Sequence, residues 1–259
     1  MTSWFLRGCL VIGIVAGVLL PVFESIAQQV IHIENRRMAD TTDGFSGDIS
    51  LQANLVQNLN DIFQTNNQAQ LHYVKGRHRA LSISSFNLTV FNESRIANDA
   101  YQHFRYNYEL SERLSPEVFA QYQYNELIKI GFRTLHGAGV RYAVLDNDSA
   151  KTKLFAGLSY MYEYEEETTD KIIRAHRANI YFSAGLPIGK MIHLDAIAYF
   201  QPNLQRISDI RSSIEVTVDV VITKRLSLML AHSLIYDGAS PEGVRNTFYN
   251  FRNGLRYRF

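Results

Sequence analysis

The segment T-F-Y-N-F-R-N-G-L-R-Y-R-F, from Thr247 to Phe259, carries the pattern that decides the fold. Its odd positions are mostly aromatic or aliphatic, and its even positions are mostly cationic or polar. The first set contains Tyr249, Phe251, Leu255, Tyr257 and Phe259; the second contains Asn250, Arg252, Arg256 and Arg258. Because side chains alternate between the two faces of a strand, the segment predicts a β-strand with one apolar and one cationic face.

The aromatic residue at the very end of this strand points to a class of protein. A terminal Phe preceded by alternating aromatics resembles the closing strand of bacterial outer-membrane β-barrels. The resemblance implies that Phe259, Tyr257 and Leu255 act as an assembly signal for the barrel assembly machinery. A soluble β-rich protein can also end in Phe, so the start of the chain is needed to decide.

The first 27 residues have the features of a secretory signal peptide. A short basic region reaches Arg7, an apolar run follows from Gly8 to Leu20, and Ser25-Ile26-Ala27 supplies small residues for cleavage. The apolar run is shorter than the ~20 residues that a membrane-spanning helix needs. We therefore predict export, with cleavage after Ala27.

Composition excludes several kinds of site in the exported chain. Cleavage removes the only cysteine, Cys9, so cysteine nucleophiles, disulfides and thiolate metal sites are excluded. The formal net charge of +1 shows no basic excess for nucleic acid. We predict no cofactor and no nucleic-acid partner.

From Gly47 onward the hydrophobic pattern has a period of two. It indicates about twelve strands, joined by turns that we interpret as alternately short and long. We predict an all-β fold, a transmembrane antiparallel up-and-down β-barrel over residues 46–259, with a periplasmic N-terminal extension over 28–45. Leu158 and Val218 are predicted to face lipid, and Thr217 the interior. A soluble β-sandwich is the alternative, but it does not require alternating loop lengths.

Three local features are less regular than the rest. The change of apolar phase between Ile83 and Phe86 predicts a β-bulge near Ser84-Ser85. Residues 92–98 read as a polar loop. The acidic run at 165–170 predicts a solvated loop, with cation bridging to lipopolysaccharide as the alternative.

The predicted inward faces carry charges of both signs. They include Asp48, Asp195, Glu215, Asp219, Arg252, Arg256 and Arg258. We expect Arg256 and Arg258 to lie near Asp48 where the last strand closes on the first, and the whole set to form an ion network that narrows the lumen. A water-filled lumen with separately hydrated charges is the alternative, and mixed charge alone does not choose between them.

Several segments together resemble a known family. They are Phe45-Ser46-Gly47, His103 to Tyr108 followed by Leu110 and Arg113, Gly137 to Tyr142, Tyr162 to Glu165, and Tyr236-Asp237 before Pro241. These features resemble the family catalogued as domain of unknown function 481, whose members include proteins named as salt-induced outer-membrane proteins. The resemblance implies a fold and a location, and it brings no catalytic residues.

Three classes of function remain in view. The first is a non-enzymatic outer-membrane barrel for envelope integrity or salt-stress adaptation, as the resemblance implies. The second is a narrow channel for ions or small polar solutes. The third is a barrel-embedded lipid-modifying enzyme using one of His103, His136, His176 or His193, although no serine lies in a recognisable nucleophile setting. We favour the first, with outer-membrane lipid and lipopolysaccharide as partners and a monomeric state.

Overall fold

The computed structural model describes residues 43–57, 59–147, 152–223 and 226–257. The predicted signal peptide and nearly all of the predicted extension lie outside these residues, as do Arg258 and Phe259. For Arg256 and Tyr257 the backbone is described and the side chain is not.

Twelve antiparallel strands form a single sheet in which every strand pairs with its neighbours in sequence. The strands are β1 (Gly44–Gln57), β2 (Asp61–Lys75), β3 (His78–Phe91), β4 (Ser94–Tyr108), β5 (Leu114–Asn125), β6 (Ile130–Asn147), β7 (Thr152–Glu167), β8 (Ile172–Ile188), β9 (Ile192–Pro202), β10 (Ile210–Val221), β11 (Leu226–Asp237) and β12 (Thr247–Tyr257). The all-β, up-and-down architecture predicted from the period-two pattern is confirmed. Among the described residues, β1 and β12 are the two edges of the sheet.

Burial alternates along the strands as the sequence pattern predicts. On β7 and β8 the residues on one face, such as Leu158 and Phe182, remain exposed, whereas their neighbours on the other face are buried. We call the exposed, mainly apolar and aromatic side the outer face and the buried side the inner face. Val218 lies in the phase of the outer face and Thr217 in the phase of the inner face.

Contacts between distant strands show that the sheet curls around its inner face. The hydroxyl of Tyr181 on β8 donates a hydrogen bond to Glu117 on β5, and Arg211 on β10 pairs with Glu165 on β7. Strands three positions apart would be about 14 Å apart in a flat sheet, from a spacing of about 4.8 Å between neighbours. The inner face is therefore concave, and its side chains meet one another.

The connections define two ends of the sheet. At one end β1 begins and β12 finishes; we call it the terminal end. The other end, which we call the loop end, carries the two longest connections, residues 203–209 and 238–246. A short 3-10 helix, Glu126–Ile128, also lies at the loop end. In the described part of the chain, no helix is both long and apolar enough to cross a membrane.

Two of the local predictions are wrong. β3 pairs with β2 without interruption through Ser84 and Ser85, and its irregularity lies between Thr89 and Val90 in the pairing with β4. The apolar phase changes because Leu81 and Ile83 are buried on the inner face, where they pack against Tyr101. The predicted loop at 92–98 is a tight turn at residues 92–93, because β4 already begins at Ser94.

The third correction concerns the acidic run. Glu165 and Glu167 belong to β7, where they continue the inward phase and are buried. Only residues 168–171 connect β7 to β8. Two of the side chains predicted to be solvated, Glu165 and Glu167, are therefore part of the interior, whereas residues 168–170 are exposed as predicted.

Candidate functional site

The inner face of β6 to β10 contains a buried network of ion pairs centred on Glu163. This carboxylate contacts three guanidinium groups: that of Arg133 at 2.7 Å, that of Arg177 at 2.6 Å, and that of Arg211. The side chains of Glu163 and Arg177 are fully buried. Burying a charge is costly unless the charge is paired and hydrogen-bonded. Each of these buried groups therefore needs its partners to stay in place.

Arg211 extends the network to two further carboxylates. Its guanidinium lies 3.0 Å from Glu165 and 2.8 Å from Asp237. Asp237 stands directly opposite Arg211 in the pairing of β10 with β11. One arginine thus joins β7, β10 and β11.

Arg177 extends the network in the direction of the loop end. Its guanidinium lies 2.9 Å from Asp209 and also donates to the backbone oxygens of Gln201 and Asp209. Asn203 donates a further hydrogen bond of 3.0 Å to Asp209. Burial alone would raise the pKa of Asp209, but the hydrogen bonds from Asn203 and Arg177 and the positive charge of Arg177 and Arg211 outweigh it and lower that pKa below its ordinary value. The loop at residues 203–209 is therefore held to the interior by an ionised carboxylate.

A second buried cluster lies on the inner face around Glu117 of β5. Its carboxylate pairs with Arg105 at 3.2 Å and accepts hydrogen bonds from Asn107 and from the hydroxyl of Tyr181. The guanidinium of Arg105 also stacks over the ring of Phe119, 4.9 Å from its centre. This cluster ties β4 and β5 to β8.

Two glycines make room for the aromatic rings that cross the interior. Tyr181 stands directly opposite Gly157, and Phe119 directly opposite Gly137. A Cβ atom at Gly157 would lie 2.0 Å from the Tyr181 ring, and one at Gly137 would lie 2.2 Å from the Phe119 ring. The rings therefore lie flat over the neighbouring strand only because no side chain is present there.

A small cavity lies beside these side chains on the inner face of the sheet. Its volume is about 110 Å³, and its polar lining includes Gln121, Gln201 and Arg133. Around it, the three arginines of the Glu163 network face four carboxylates, those of Glu163, Glu165, Asp209 and Asp237. The interior at this level is filled by paired charges.

A hydrogen bond crosses the loop end above this network. The ammonium group of Lys129, next to the 3-10 helix, donates to the backbone oxygen of Glu242 at 2.6 Å. Lys129 has a left-handed backbone conformation, with φ of 60°, and its own backbone oxygen accepts from Thr168. The connections after β5, β7 and β11 are joined in this way.

Only part of the predicted lumen set is brought together. Arg252 lies 3.7 Å from Glu215, across β10 to β12. Asp195 lies 3.3 Å from His193. In the pairing of β9 with β10, Asp195 stands opposite Thr217 and His193 stands opposite Asp219. Asp48 is exposed on the edge strand β1, so its approach to Arg256 and Arg258 stays a prediction.

The main buried network was missed at the level of sequence. Its arginines, Arg133, Arg177 and Arg211, were not among the predicted lumen residues, and Glu165 was assigned to a loop. The alternation of tyrosine and glutamate from Tyr162 to Glu165 is the signal that could have found the acidic part. Because the tyrosines of this segment face outward, a period of two that continues to Glu165 puts Glu163 and Glu165 on the inner face.

The four histidines considered for catalysis do not share one environment. His136 and His176 lie in the outward phase, where His176 bonds the hydroxyl of Tyr160. His103 is buried beside Arg105 and Gln121. In the described residues, no group of three or more His, Asp or Glu side chains is arranged to hold a metal ion.

Solved structures with a similar course of the chain are bacterial barrels. The NanC porin matches with 10% identity over 76% of this chain and 94% of its own, at a TM-score of 0.46. The translocator domain of the autotransporter NalP from Neisseria meningitidis matches with 9% identity over 88% and 92%, at a TM-score of 0.43. The beta domain of the Bordetella autotransporter BrkA matches with 8% identity over 83% and 98%, at 0.35.

The sequence itself was also compared with curated proteins and with family models. No curated protein matches it at a significant level. One family model matches residues 47–259, from the fourth residue of β1 to Phe259. The chain belongs to the family described as proteins of unknown function, DUF481.

Proposed function

We propose that this protein is a non-enzymatic outer-membrane β-barrel, closed to steady ion flow, that serves envelope integrity or salt-stress adaptation. The outer face supports the membrane position, since it presents a mainly apolar and aromatic surface on twelve strands that each hydrogen-bond to their neighbours in sequence. Export through cleavage after Ala27, assembly through the C-terminal strand and a monomeric state belong to the same proposal.

The network around Glu163 is the single observation on which the proposal of a closed interior rests. Three arginines and four carboxylates, contributed by strands from β6 to β11 and by the loop at 203–209, meet where a conducting barrel would hold water. An open porin keeps a water-filled lumen, whereas a small barrel is filled by its own side chains. The paired charges on the inner face of β6 to β11 support an interior of the second kind.

Conductance in a planar lipid bilayer tests the proposal. The wild type should show little or no steady current. The double variant Arg211→Gln with Glu165→Gln removes a buried arginine and one of its three carboxylate partners without changing the net charge, and it should show a measurable current. The matched control is Arg95→Gln with Glu126→Gln, an ion pair of 3.3 Å that lies exposed at the loop end, and it should behave like the wild type.

A narrow channel is the second candidate, and the cavity of about 110 Å³ beside the network, lined by both polar and apolar side chains, is the observation that favours it. Steady, ion-selective current from the unaltered protein would favour this candidate over the closed barrel. The structure offers no comparable observation in favour of a lipid-modifying enzyme.

A further inference from the structure

A groove runs across the loop end between three connections of the chain. It has a volume of about 710 Å³ and lies between the turn after β7, the loop after β9 and the loop after β11. Its lining includes three cations, Lys171, Arg174 and Arg206, together with Asn203, Ser208 and Ser240. We call it the basic groove.

Two of these cations form ion pairs with buried carboxylates. Lys171 lies 2.7 Å from Glu167, and Arg206 lies 3.4 Å from Asp209. The two carboxylates are almost completely buried, whereas the side chains of Lys171 and Arg206 remain 59% and 64% exposed. The cations therefore present their exposed sides to the groove; Glu167 lies outside its lining, and Asp209 belongs to the lining but is almost completely buried.

The third cation is positioned by an aromatic ring. Arg174 lies on the outer face of β8, with its guanidinium 5.6 Å from the centre of the Tyr164 ring. Stacking of this kind fixes the guanidinium plane and leaves its N–H groups directed away from the ring. Arginine side chains arranged in this way match the oxygen atoms of a phosphate group.

Large exposed apolar side chains lie on the strand and the loop that form this groove, and one of them, Ile172, belongs to its lining. Ile172 on the outer face is 49% exposed, and Leu204 and Ile207, in the loop after β9, are 55% and 75% exposed. Exposed apolar side chains next to cations are typical of surfaces that contact both the headgroups and the acyl chains of lipids. A soluble anion would use the cations and have no use for the apolar border.

We propose that the basic groove binds the phosphate groups of a glycolipid in the outer leaflet, with Arg174 and Arg206 as the principal contacts and Ile172, Leu204 and Ile207 against its acyl chains. The inference rests on the proposed membrane position, and it names a lipid class for one site of the barrel. It differs from cation bridging by the acidic run, because two of the glutamates of that run, Glu165 and Glu167, are turned inward.

Binding of diphosphorylated lipid A to the detergent-purified full chain tests the inference. Native mass spectrometry or thermophoresis should show saturable binding to the wild type, and affinity should fall at least tenfold for Arg174→Gln with Arg206→Gln. The affinity of the wild type for dephosphorylated lipid A should also be at least tenfold lower than its affinity for the diphosphorylated lipid. The control is Arg95→Gln, which is 62% exposed at the same end but outside the groove, and it should bind as the wild type does.

Three outcomes would overturn the inference. The first is equal binding of the phosphorylated and dephosphorylated lipid, and the second is an equal loss in Arg95→Gln. The third is full displacement of the lipid by millimolar inorganic phosphate, which would indicate a site for a free anion. The bilayer current of Arg174→Gln with Arg206→Gln separates the lipid site from the closed barrel. This current should stay as low as that of the wild type, whether or not the variant binds the lipid.

Discussion

The ammonium group of Lys129 donates a hydrogen bond of 2.6 Å to the backbone oxygen of Glu242, across the loop end of the sheet. The two residues belong to the connections after β5 and after β11, six strands apart in a sheet of twelve. A contact between such distant connections requires a strongly curled sheet. It also places the loop at residues 238–246 over the mouth of the interior.

We expect Lys129→Ala to free this loop. A hydrogen bond from a charged group contributes roughly 1.5–3 kcal/mol, so its loss should increase opening of the loop by about tenfold or more. Limited trypsin digestion reports this opening through cleavage after Arg245, which lies in the loop. Lys190→Ala, in a turn at the terminal end, is the control; equal cleavage rates in both variants would show that Lys129 does not restrain the loop.

Glu163→Gln should be strongly destabilising. The substitution removes the charge that faces three buried arginines, and breaking a buried ion pair costs about 3–5 kcal/mol. A heat-modifiability gel should show unfolding at a clearly lower temperature. Glu166→Gln, on the same strand but in the opposite phase, should unfold close to the wild type, and a similar shift in both variants would contradict the role of Glu163.

Gly157→Ala should disturb the aromatic ring that lies over it. The new methyl group would meet the Tyr181 ring at 2.0 Å and displace its hydroxyl from Glu117. Overpacking of this kind costs about 1–3 kcal/mol. The cost should largely disappear in a Tyr181→Ala background, which a double-mutant cycle measures. Gly254→Ala, where no atom lies within 4 Å, is the control and should be nearly neutral.

An arginine on the outer face should be tolerated far less than one on the inner face. Replacing Leu158, which is 56% exposed on the outer face, or Val218 by Arg should cost about 2–4 kcal/mol near the middle of the bilayer. Thr217→Arg, on the inner face beside Asp195 and Asp219, should cost much less. Equal unfolding temperatures for the three variants in detergent or lipid would show that the faces are assigned wrongly.

The loop at residues 203–209 should add to stability only while Asp209 is ionised. Because the pKa of Asp209 is lowered in the folded protein, its contribution is present above the ordinary aspartate pKa of about 3.9 and is lost as the pH falls through the lower folded value. The wild type should therefore unfold at a higher temperature than Asp209→Asn at pH 5–7. That difference should shrink below about pH 4, and a constant difference down to pH 3 would contradict the assignment.

The strands could be predicted from the sequence because their two faces meet different surroundings. The outward phase of Leu158, Tyr160, Tyr162 and Tyr164 is visible as a period of two, and the structure confirms it. The final strand shows the same pattern, with Tyr249 and Phe251 exposed on the outer face. Such a pattern depends only on neighbours along one strand.

The ion network could be predicted only in part because its partners lie on strands that are far apart in sequence. Arg211 and Glu165 are separated by three strands, and no local pattern indicates that the sheet curls enough to bring them together. The consecutive glutamates Glu165 to Glu167 also resemble a solvated turn. Likewise, the need for glycine at Gly157 appears only once the register places it opposite Tyr181.

Under the proposed membrane position, the placement of Asp237 directly opposite Arg211 bears on how the strands are inserted. The two residues face each other within a single hairpin, β10 with β11, so their 2.8 Å contact needs no other part of the sheet. Every other partner of Arg211 is on β7. A hairpin that carries its own counter-ion can bring this arginine into an apolar environment as a neutral pair, before the strands that complete the network have arrived.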